Sequence, residues 1–230
     1  KGLTNLDQWI VEGTEPGFLY VMTFLNQFLS TEFLLIYGFL AVNLLLGLAI
    51  YYFAKEYFDK DVALFSILIF AISLVQFKLF TYLYYKNIIA ISFLLLSFIY
   101  LKREKYEWFV FFGILVGITH RPTFYIFGLS YLAYAFASPY FEKSYDFKKL
   151  MFNVIYGIVI VGITLIFYMG TFKPAILNMI YPVISSFVST EESPGTFISF
   201  FEYQFSSLFY LPLALLGYFS IKKNRKYNVI

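Results

Sequence analysis

The chain has 230 residues, of which 60% are hydrophobic and 13% are charged, and its formal net charge at pH 7 is +3. A soluble domain carries roughly 25% charged residues, so this composition and a mean hydropathy of +0.73 exclude a soluble protein and predict an integral membrane protein. The sequence contains no cysteine, which excludes disulfide bonds and thiolate metal sites. We expect no nucleic-acid partner.

The N-terminal segment is polar and begins at Lys1 without the charged and apolar regions of a signal peptide. We expect the natural start of the protein, with a first transmembrane helix and part of the first outer loop, to lie upstream. Residues 1–230 are then a single membrane domain that belongs to a longer chain. This polar segment carries three carboxylates, Asp7, Glu12 and Glu15.

A short amphipathic segment follows, from Gly17 to Leu29. Helical spacing places its apolar and polar side chains on different faces. The apolar face has Phe18, Val21, Met22, Leu25, Phe28 and Leu29, and the polar face has Thr23, Asn26 and Gln27. A helix with this pattern lies in the membrane interface, whereas a spanning helix is longer and apolar all round.

Seven apolar runs after this segment are candidates for crossing a hydrocarbon layer about 30 Å thick. They are Phe33 to Ala54, Val62 to Phe77, Tyr82 to Leu101, Trp108 to Thr119, Thr123 to Ala137, Leu150 to Met169 and Phe205 to Ile221. The sequence therefore predicts an all-α, polytopic transmembrane bundle of about seven membrane helices with one outer juxtamembrane helix.

The distribution of basic residues predicts the orientation of this bundle. If the seven runs alternate in direction, twelve of the 17 Lys and Arg residues fall on one side. Cytoplasmic loops carry the excess of Lys and Arg, so the basic loops and the C-terminus are predicted to be cytoplasmic and the N-terminal segment external. The short runs that flank His120 leave an alternative open, because a re-entrant pair entering from the basic side would give the same charge distribution.

The other five basic residues fall on the outer side, and they are Lys1, Lys78, Lys86, Arg121 and Lys173. Among the outer cationic or near-cationic residues, the candidates for chemistry are Lys78, Lys86, His120 and Arg121. Cations at an outer membrane face can bind the phosphate of a lipid carrier, arginine through its bidentate fork and lysine as a point charge. A nearby carboxylate, from Asp7, Glu12 or Glu15, can accept a proton from an acceptor hydroxyl.

Four stretches of the sequence resemble the core of the GT-C membrane glycosyltransferases, which include protein mannosyltransferases and aminoarabinose transferases. They are "EPGFLYVMTFLNQFL", "YYFAKEYFDKDVALFSILIFAISLVQF", "YYKNIIAISFLLLSFIYLKREK" and "FFGILVGITHRPTFYIF", within residues 15–137. The resemblance implies transfer of a sugar from a polyprenyl-phosphate-linked donor to an acceptor on the outer face, with this donor and membrane lipid as partners. No group of residues in the sequence indicates a metal site. The resemblance is nevertheless compatible with a divalent metal cofactor.

The sequence departs from this family in two places. The family's catalytic carboxylate lies early in the first outer loop, close to the first transmembrane helix, and this sequence begins after that helix. Where many members carry an acidic residue at the start of the run Tyr82 to Leu101, this chain has Lys86 and Asn87.

Alternatives remain for the residues and for the function. His120 is also suited to capping a hairpin, Arg121 and Lys86 to anchoring helix ends at the interface, and the N-terminal carboxylates to a solvated loop. An exopolysaccharide or O-antigen polymerase-like protein shares the "EPGF" stretch and a similar order of elements. A transporter is a further alternative, against which stands the lack of charges in the middle of the helices.

Overall fold

A computed structural model of the chain describes residues 16–73, 85–141 and 147–171. These residues lie within one compact unit, Lys1–Ile176, and they form helices without any strand. In chain order the helices are α1 (Pro16–Leu25), α2 (Thr31–Tyr57), α3 (Lys60–Ile72), α4 (Tyr85–Lys102), α5 (Tyr106–Thr119), α6 (Arg121–Phe141) and α7 (Phe147–Thr171). The predicted all-α fold is confirmed for the described residues.

Side-chain caps explain where two of the helices begin. The Ser30 hydroxyl accepts a hydrogen bond from the Phe33 backbone N–H at 3.2 Å, at the start of α2. The Asp59 carboxylate accepts one from the Val62 N–H at 2.8 Å, at the start of α3. Each cap satisfies a backbone donor that has no partner inside its helix.

The turn between α4 and α5 has the geometry of a Schellman motif. Glu104 adopts a φ of 57°, the left-handed conformation that usually falls to glycine at this position. The Lys105 N–H donates to the Tyr100 carbonyl at 2.9 Å, and the Glu104 N–H donates to the Leu101 carbonyl at 3.1 Å. These bonds satisfy the last carbonyls of α4 and reverse the chain within three residues.

Contacts at the ends of α2 and α4 show that these two helices run parallel. At one end the Tyr85 hydroxyl donates to the Leu35 carbonyl at 3.0 Å. At the other end the Arg103 guanidinium donates to one Glu56 carboxylate oxygen from two nitrogens, at 2.6 and 2.9 Å. Because α3 lies between them along the chain, the three helices alternate in direction, which is the arrangement assumed for the predicted orientation.

Helices α5 and α7 are also parallel, with α6 running between them in the opposite direction. The rings of Tyr106 and Tyr156, near the starts of α5 and α7, stack with centroids 4.8 Å apart. Nearer the other end, Gly117 of α5 lies against the Thr164 side chain of α7. Between them, the Tyr131 hydroxyl of α6 donates to the backbone carbonyl of Asn153 in α7 at 2.8 Å.

Two ends of the bundle follow from these directions, and we name them by their charged residues. The basic end has Lys55, Lys60, Lys102, Arg103 and Lys105. The opposite end, here the His120 end, has Lys86, His120 and Arg121. The cations that the sequence assigns to different sides of the membrane therefore lie at opposite ends of the helices.

The basic end is held by interactions between the last turns of α2 and α4. The Lys102 ammonium donates to the Glu56 backbone carbonyl at 2.7 Å and lies 4.4 Å from the centroid of the Tyr57 ring. The hydrogen bond with Glu56 raises the pKa of the Arg103 guanidinium, so this side chain stays protonated and paired.

Two apolar clusters form the core of the described residues. The larger one lies between α4, α5, α6 and α7, and the smaller one between α2 and α4. Their buried members are Leu101, Phe109, Val116, Phe127, Tyr131 and Ile160 in the first, and Phe39, Leu46, Tyr85 and Ile88 in the second.

Three of the described helices are long and apolar enough to cross a membrane: Thr31–Tyr57, Tyr85–Lys102 and Leu150–Phe167. Six of the seven predicted runs correspond to the helices α2 to α7, and Phe205 to Ile221 lies outside the described residues. Helix α5 has 14 residues, which rise about 21 Å and fall short of a hydrocarbon layer of about 30 Å. Whether α5 and α6 span or re-enter stays a prediction.

Helix α1 is shorter than the sequence predicts, because it ends at Leu25 and a turn occupies Asn26 to Phe28. Its 10 residues rise about 15 Å, too little to span a bilayer. Phe18 and Met22 pack on the smaller core cluster, whereas Val21 of the predicted apolar face is exposed. The predicted polar residues Thr23, Asn26 and Gln27 are exposed.

Candidate functional site

The junction of α5 and α6 consists of one extended residue, His120. Its φ and ψ are −156° and 111°, its N–H donates to the Val116 carbonyl at 3.0 Å, and its carbonyl accepts from the Phe124 N–H at 3.1 Å. The backbone N–H and carbonyl of His120 therefore cap the last turn of α5 and the first turn of α6. Pro122 lies in that first turn, where its fixed φ suits a helix and its missing N–H is not needed.

The imidazole of His120 is tied to the same first turn of α6. Its Nδ1 lies 2.7 Å from the hydroxyl of Thr123, three residues along the chain. His120 is half-buried and Thr123 is 5% exposed. The predicted capping of a hairpin describes the His120 backbone correctly, and the side chain has a partner of its own.

Arg121 is the first residue of α6, and it is half-buried. The N-terminus of a helix carries a partial positive charge of about half an elementary charge, so a cation there is unfavourable without a compensating anion. No acidic residue lies in the first turn of α6. The position of Arg121 therefore adds a full positive charge to an end that is already positive.

Helix α1 joins this junction to the start of α4. A Cβ atom at Gly17 would lie 2.5 Å from the Ile118 carbonyl oxygen, so only glycine permits this approach of α1 to the last turn of α5. The next residue, Phe18, has its ring centroid 6.1 Å from that of Tyr85. The first turn of α1 thus contacts the α5–α6 junction on one side and the residue before Lys86 on the other.

Lys86 is positioned by its neighbour Tyr85. The Tyr85 hydroxyl donates to the carbonyls of Leu34 and Leu35, in a π-helical stretch of α2 that covers Leu34–Gly38. A π-helical stretch shifts the backbone bonds by one residue and is common near functional sites. The buried Tyr85 ring anchors this turn of α4 and leaves Lys86 half-buried at the His120 end.

Two glycines of α5 determine how closely the hairpin packs. A Cβ at Gly113 would lie 2.9 Å from the Ile160 Cδ1 atom, and one at Gly117 would lie 2.6 Å from both Cγ2 and Oγ1 of Thr164. Small residues four apart let membrane helices approach closely. The G-x-x-x-G part of the quoted stretch therefore seats α5 on α7 three residues before His120.

The local charge at the His120 end is positive. Lys86 and Arg121 contribute two full charges, and the N-termini of α1 and α6 contribute partial charges that the C-terminus of α5 offsets in part. Glu32, exposed in the first turn of α2, lies at the same end and stabilises its own helix N-terminus. Lys86, His120 and Arg121, which the sequence predicts to bind a phosphate, thus lie at the same end of the described helices.

Metal ligands do not cluster in the part of the chain that the structure describes. Among residues 16–73, 85–141 and 147–171, no group of three or more His, Cys, Asp or Glu side chains is arranged to hold a metal ion.

Comparison with known proteins agrees with these features. Residues 15–168, about two thirds of the chain, match the family described as dolichyl-phosphate-mannose-protein mannosyltransferase. The chain belongs to this family. The mannosyltransferase match confirms the resemblance to the GT-C glycosyltransferases and supports an integral membrane glycosyltransferase with a lipid-linked sugar donor. No curated protein matches the chain, and no solved structure matches it.

The family match includes the three predicted phosphate ligands that the structure describes, Arg121, Lys86 and His120, and these lie at one end of the bundle. The other predicted site residues, Lys78, Asp7, Glu12 and Glu15, lie outside the described residues.

Sequence reasoning missed three residues that position the site, Gly17, Tyr85 and Thr123. For Thr123 a signal was available, because a hydroxyl three residues after an extended histidine faces it across the first helical turn. For Gly17 and Tyr85 the partners lie far away along the chain, so no local signal exists.

Proposed function

We propose that this membrane glycosyltransferase takes its sugar from a polyprenyl-phosphate-linked donor on the outer face of the membrane and that the His120 end binds the donor phosphate. The observation that carries the proposal is that α1 contacts both the α5–α6 junction, where Arg121 begins α6, and Tyr85, the residue before Lys86. The family match supports this function over a polymerase or a transporter.

Arg121 is the main phosphate contact in this proposal, Lys86 is the second, and His120 donates a hydrogen bond. Negative charge on the phosphate grows as the bond to the sugar breaks. Fixed cations in a poorly hydrated site therefore stabilise the transition state more than the bound donor, which accelerates the transfer. The site lies where the polyprenyl chain of the donor can remain in the lipid beside the exposed apolar faces of the helices.

A carboxylate must accept the proton from the attacking hydroxyl of the acceptor. Asp7, Glu12 and Glu15 remain the candidates in this chain. Glu15 directly precedes Pro16 in the sequence, and α1 begins there against the α5–α6 junction. This proximity along the chain makes Glu15 the first of the three to replace.

The phosphate assignment is tested by binding of farnesyl phosphate, with farnesol as the control ligand that lacks the phosphate. Farnesyl phosphate should raise the unfolding temperature of the full-length protein in detergent, and farnesol should raise it less. The Arg121→Ala variant should lose this difference, and Arg121→Lys should lose most of it because lysine lacks the bidentate fork.

Transfer from a polyprenyl-phosphate mannose donor is the second measurement. Arg121→Ala should reduce the transfer rate by roughly 10²- to 10³-fold, as expected when one donor to a developing negative charge is removed. Lys105→Ala is the matched control, since this exposed cation lies at the basic end. If both Arg121 variants bind farnesyl phosphate and transfer sugar as the wild type does, the phosphate site lies elsewhere.

A further inference from the structure

The hydrogen bond between His120 and Thr123 selects one form of the imidazole. A neutral histidine has one ring nitrogen that donates and one that accepts. At 2.7 Å, either the Thr123 hydroxyl donates to Nδ1 or Nδ1–H donates to the hydroxyl oxygen. The distance alone does not distinguish these two arrangements, and the surroundings of Thr123 do.

Thr123 is 5% exposed, so its hydroxyl cannot rely on water for a partner. Within the described residues, the hydrogen bond that engages this hydroxyl is the one to His120. If Nδ1 were the donor, the buried hydroxyl hydrogen would be left without an acceptor, which is less favourable than an unused lone pair. The hydroxyl therefore donates, and Nδ1 accepts.

An accepting Nδ1 places the proton of a neutral imidazole on Nε2. We propose that Thr123 is a positioning residue that fixes the orientation and tautomer of His120, so that Nε2–H is the hydrogen-bond donor that this histidine offers to a bound phosphate. This inference rests on the proposed function for the phosphate, whereas the tautomer itself is a property of the ligand-free protein.

The chain contains a single histidine, which makes the tautomer directly measurable. Nitrogen NMR of the 230-residue chain labelled with [15N]histidine gives one pair of imidazole signals. At a pH where the ring is neutral, the wild type should show an unprotonated Nδ1 and a protonated Nε2. A wild-type spectrum with the proton on Nδ1 would overturn the inference.

Three variants test the role of the hydroxyl. Thr123→Val keeps the branched shape without the hydroxyl, and it should shift the spectrum to a mixture of tautomers or to protonated Nδ1. Thr123→Ser keeps a hydroxyl at this position and should give the wild-type spectrum. Thr164→Val is the matched control, because Thr164 is 1% exposed, lies against Gly117, and has a buried hydroxyl without a hydrogen-bond partner. If Thr123→Val and Thr164→Val give the same spectrum, Thr123 does not position His120.

Adding farnesyl phosphate separates this inference from the proposed function. In the wild type the Nε2 signal should move, and in Arg121→Ala it should not. If farnesyl phosphate stabilises the protein but leaves the Nε2 signal unchanged, His120 is not a phosphate donor, although the phosphate site stands. If farnesyl phosphate neither binds nor stabilises, the proposed function fails, and the spectra of the ligand-free variants still decide the role of Thr123.

Discussion

The Tyr85 hydroxyl contacts two backbone carbonyls of α2, at Leu34 and Leu35. In a regular α-helix these carbonyls would bond within the helix, and in the π-helical stretch Leu34–Gly38 that pattern changes. Tyr85 is 6% exposed, and its ring packs edge-on against Phe39 with centroids 5.0 Å apart. At the scale of residues, one phenol thus joins α2 and α4 immediately beside Lys86.

Replacing Tyr85 with Phe tests this contact. The ring remains, but the carbonyls lose a donor in an apolar environment, which should lower the free energy of unfolding by about 1 to 3 kcal/mol. Thermal unfolding of the full-length protein in one detergent measures the change. Tyr52→Phe is the control, because Tyr52 lies on α2 and is 48% exposed. Equal unfolding temperatures for the two variants would show that the Tyr85 hydroxyl does not hold α2.

At the scale of helices, two glycines of α5 determine how closely the α5–α6 hairpin packs against α7. Gly113 meets the end of the Ile160 side chain, which can rotate away, whereas Gly117 meets the branched side chain of Thr164. A β-branched side chain in a helix has restricted rotation. The contact at Gly117 is therefore the less tolerant of the two, and it is the one closer to His120.

Gly117→Ala should separate α5 from α7 at this point. We expect a loss of about 1 to 3 kcal/mol from overpacking, together with weaker binding of farnesyl phosphate because the His120 junction moves. Gly162→Ala is the control, since a Cβ there meets no atom within 4 Å. Unfolding temperature and ligand binding should both separate the two variants. A Gly117→Ala protein as stable as Gly162→Ala would mean that α5 does not depend on this close approach.

At the scale of the whole molecule, the two ends of the bundle differ in how their cations are used. At the basic end, Arg103 and Lys102 are engaged by Glu56, so these side chains serve the contact between α2 and α4. At the His120 end, Arg121 lies in a helix first turn without an acidic residue. The first arrangement is a structural ion pair, and the second is the one for which we propose an anionic ligand.

The predicted orientation of these ends can be measured by cysteine labelling, because the native chain contains no thiol. An impermeant reagent should label Asp7→Cys in intact cells and should label Lys105→Cys only after the membrane is opened. Lys105 is exposed at the basic end, and it leaves the Arg103–Glu56 pair intact. Labelling of Lys105→Cys from outside would reverse the predicted topology.

The sequence by itself determined the class of protein and the positions of most helices. In hydrocarbon, backbone groups must bond within their own segment, so a long apolar run predicts a helix directly. Asp59 and Pro122 show why some ends were also predictable, since a cap and a fixed φ act within a single turn. Assigning alternate directions to successive apolar runs placed Lys86, His120 and Arg121 on the same side of the membrane.

The tertiary structure alone decided which faces of these helices are buried. Helices that are apolar all round carry no stripe that indicates a packing face. In α5, Phe109 is fully buried and Phe111 is 48% exposed, although both are the same residue type.

The tertiary structure also decided which distant residues meet at the site. Tyr85 bonds to a carbonyl 50 positions away, and Gly17 approaches the carbonyl of Ile118 from across the bundle. An apolar helix surface is as stable against lipid as against another helix. Helix partners are therefore selected by close packing and buried hydrogen bonds. Close packing and buried hydrogen bonds depend on surface shapes that exist only after the helices have come together. For that reason no pattern along the chain predicts these contacts.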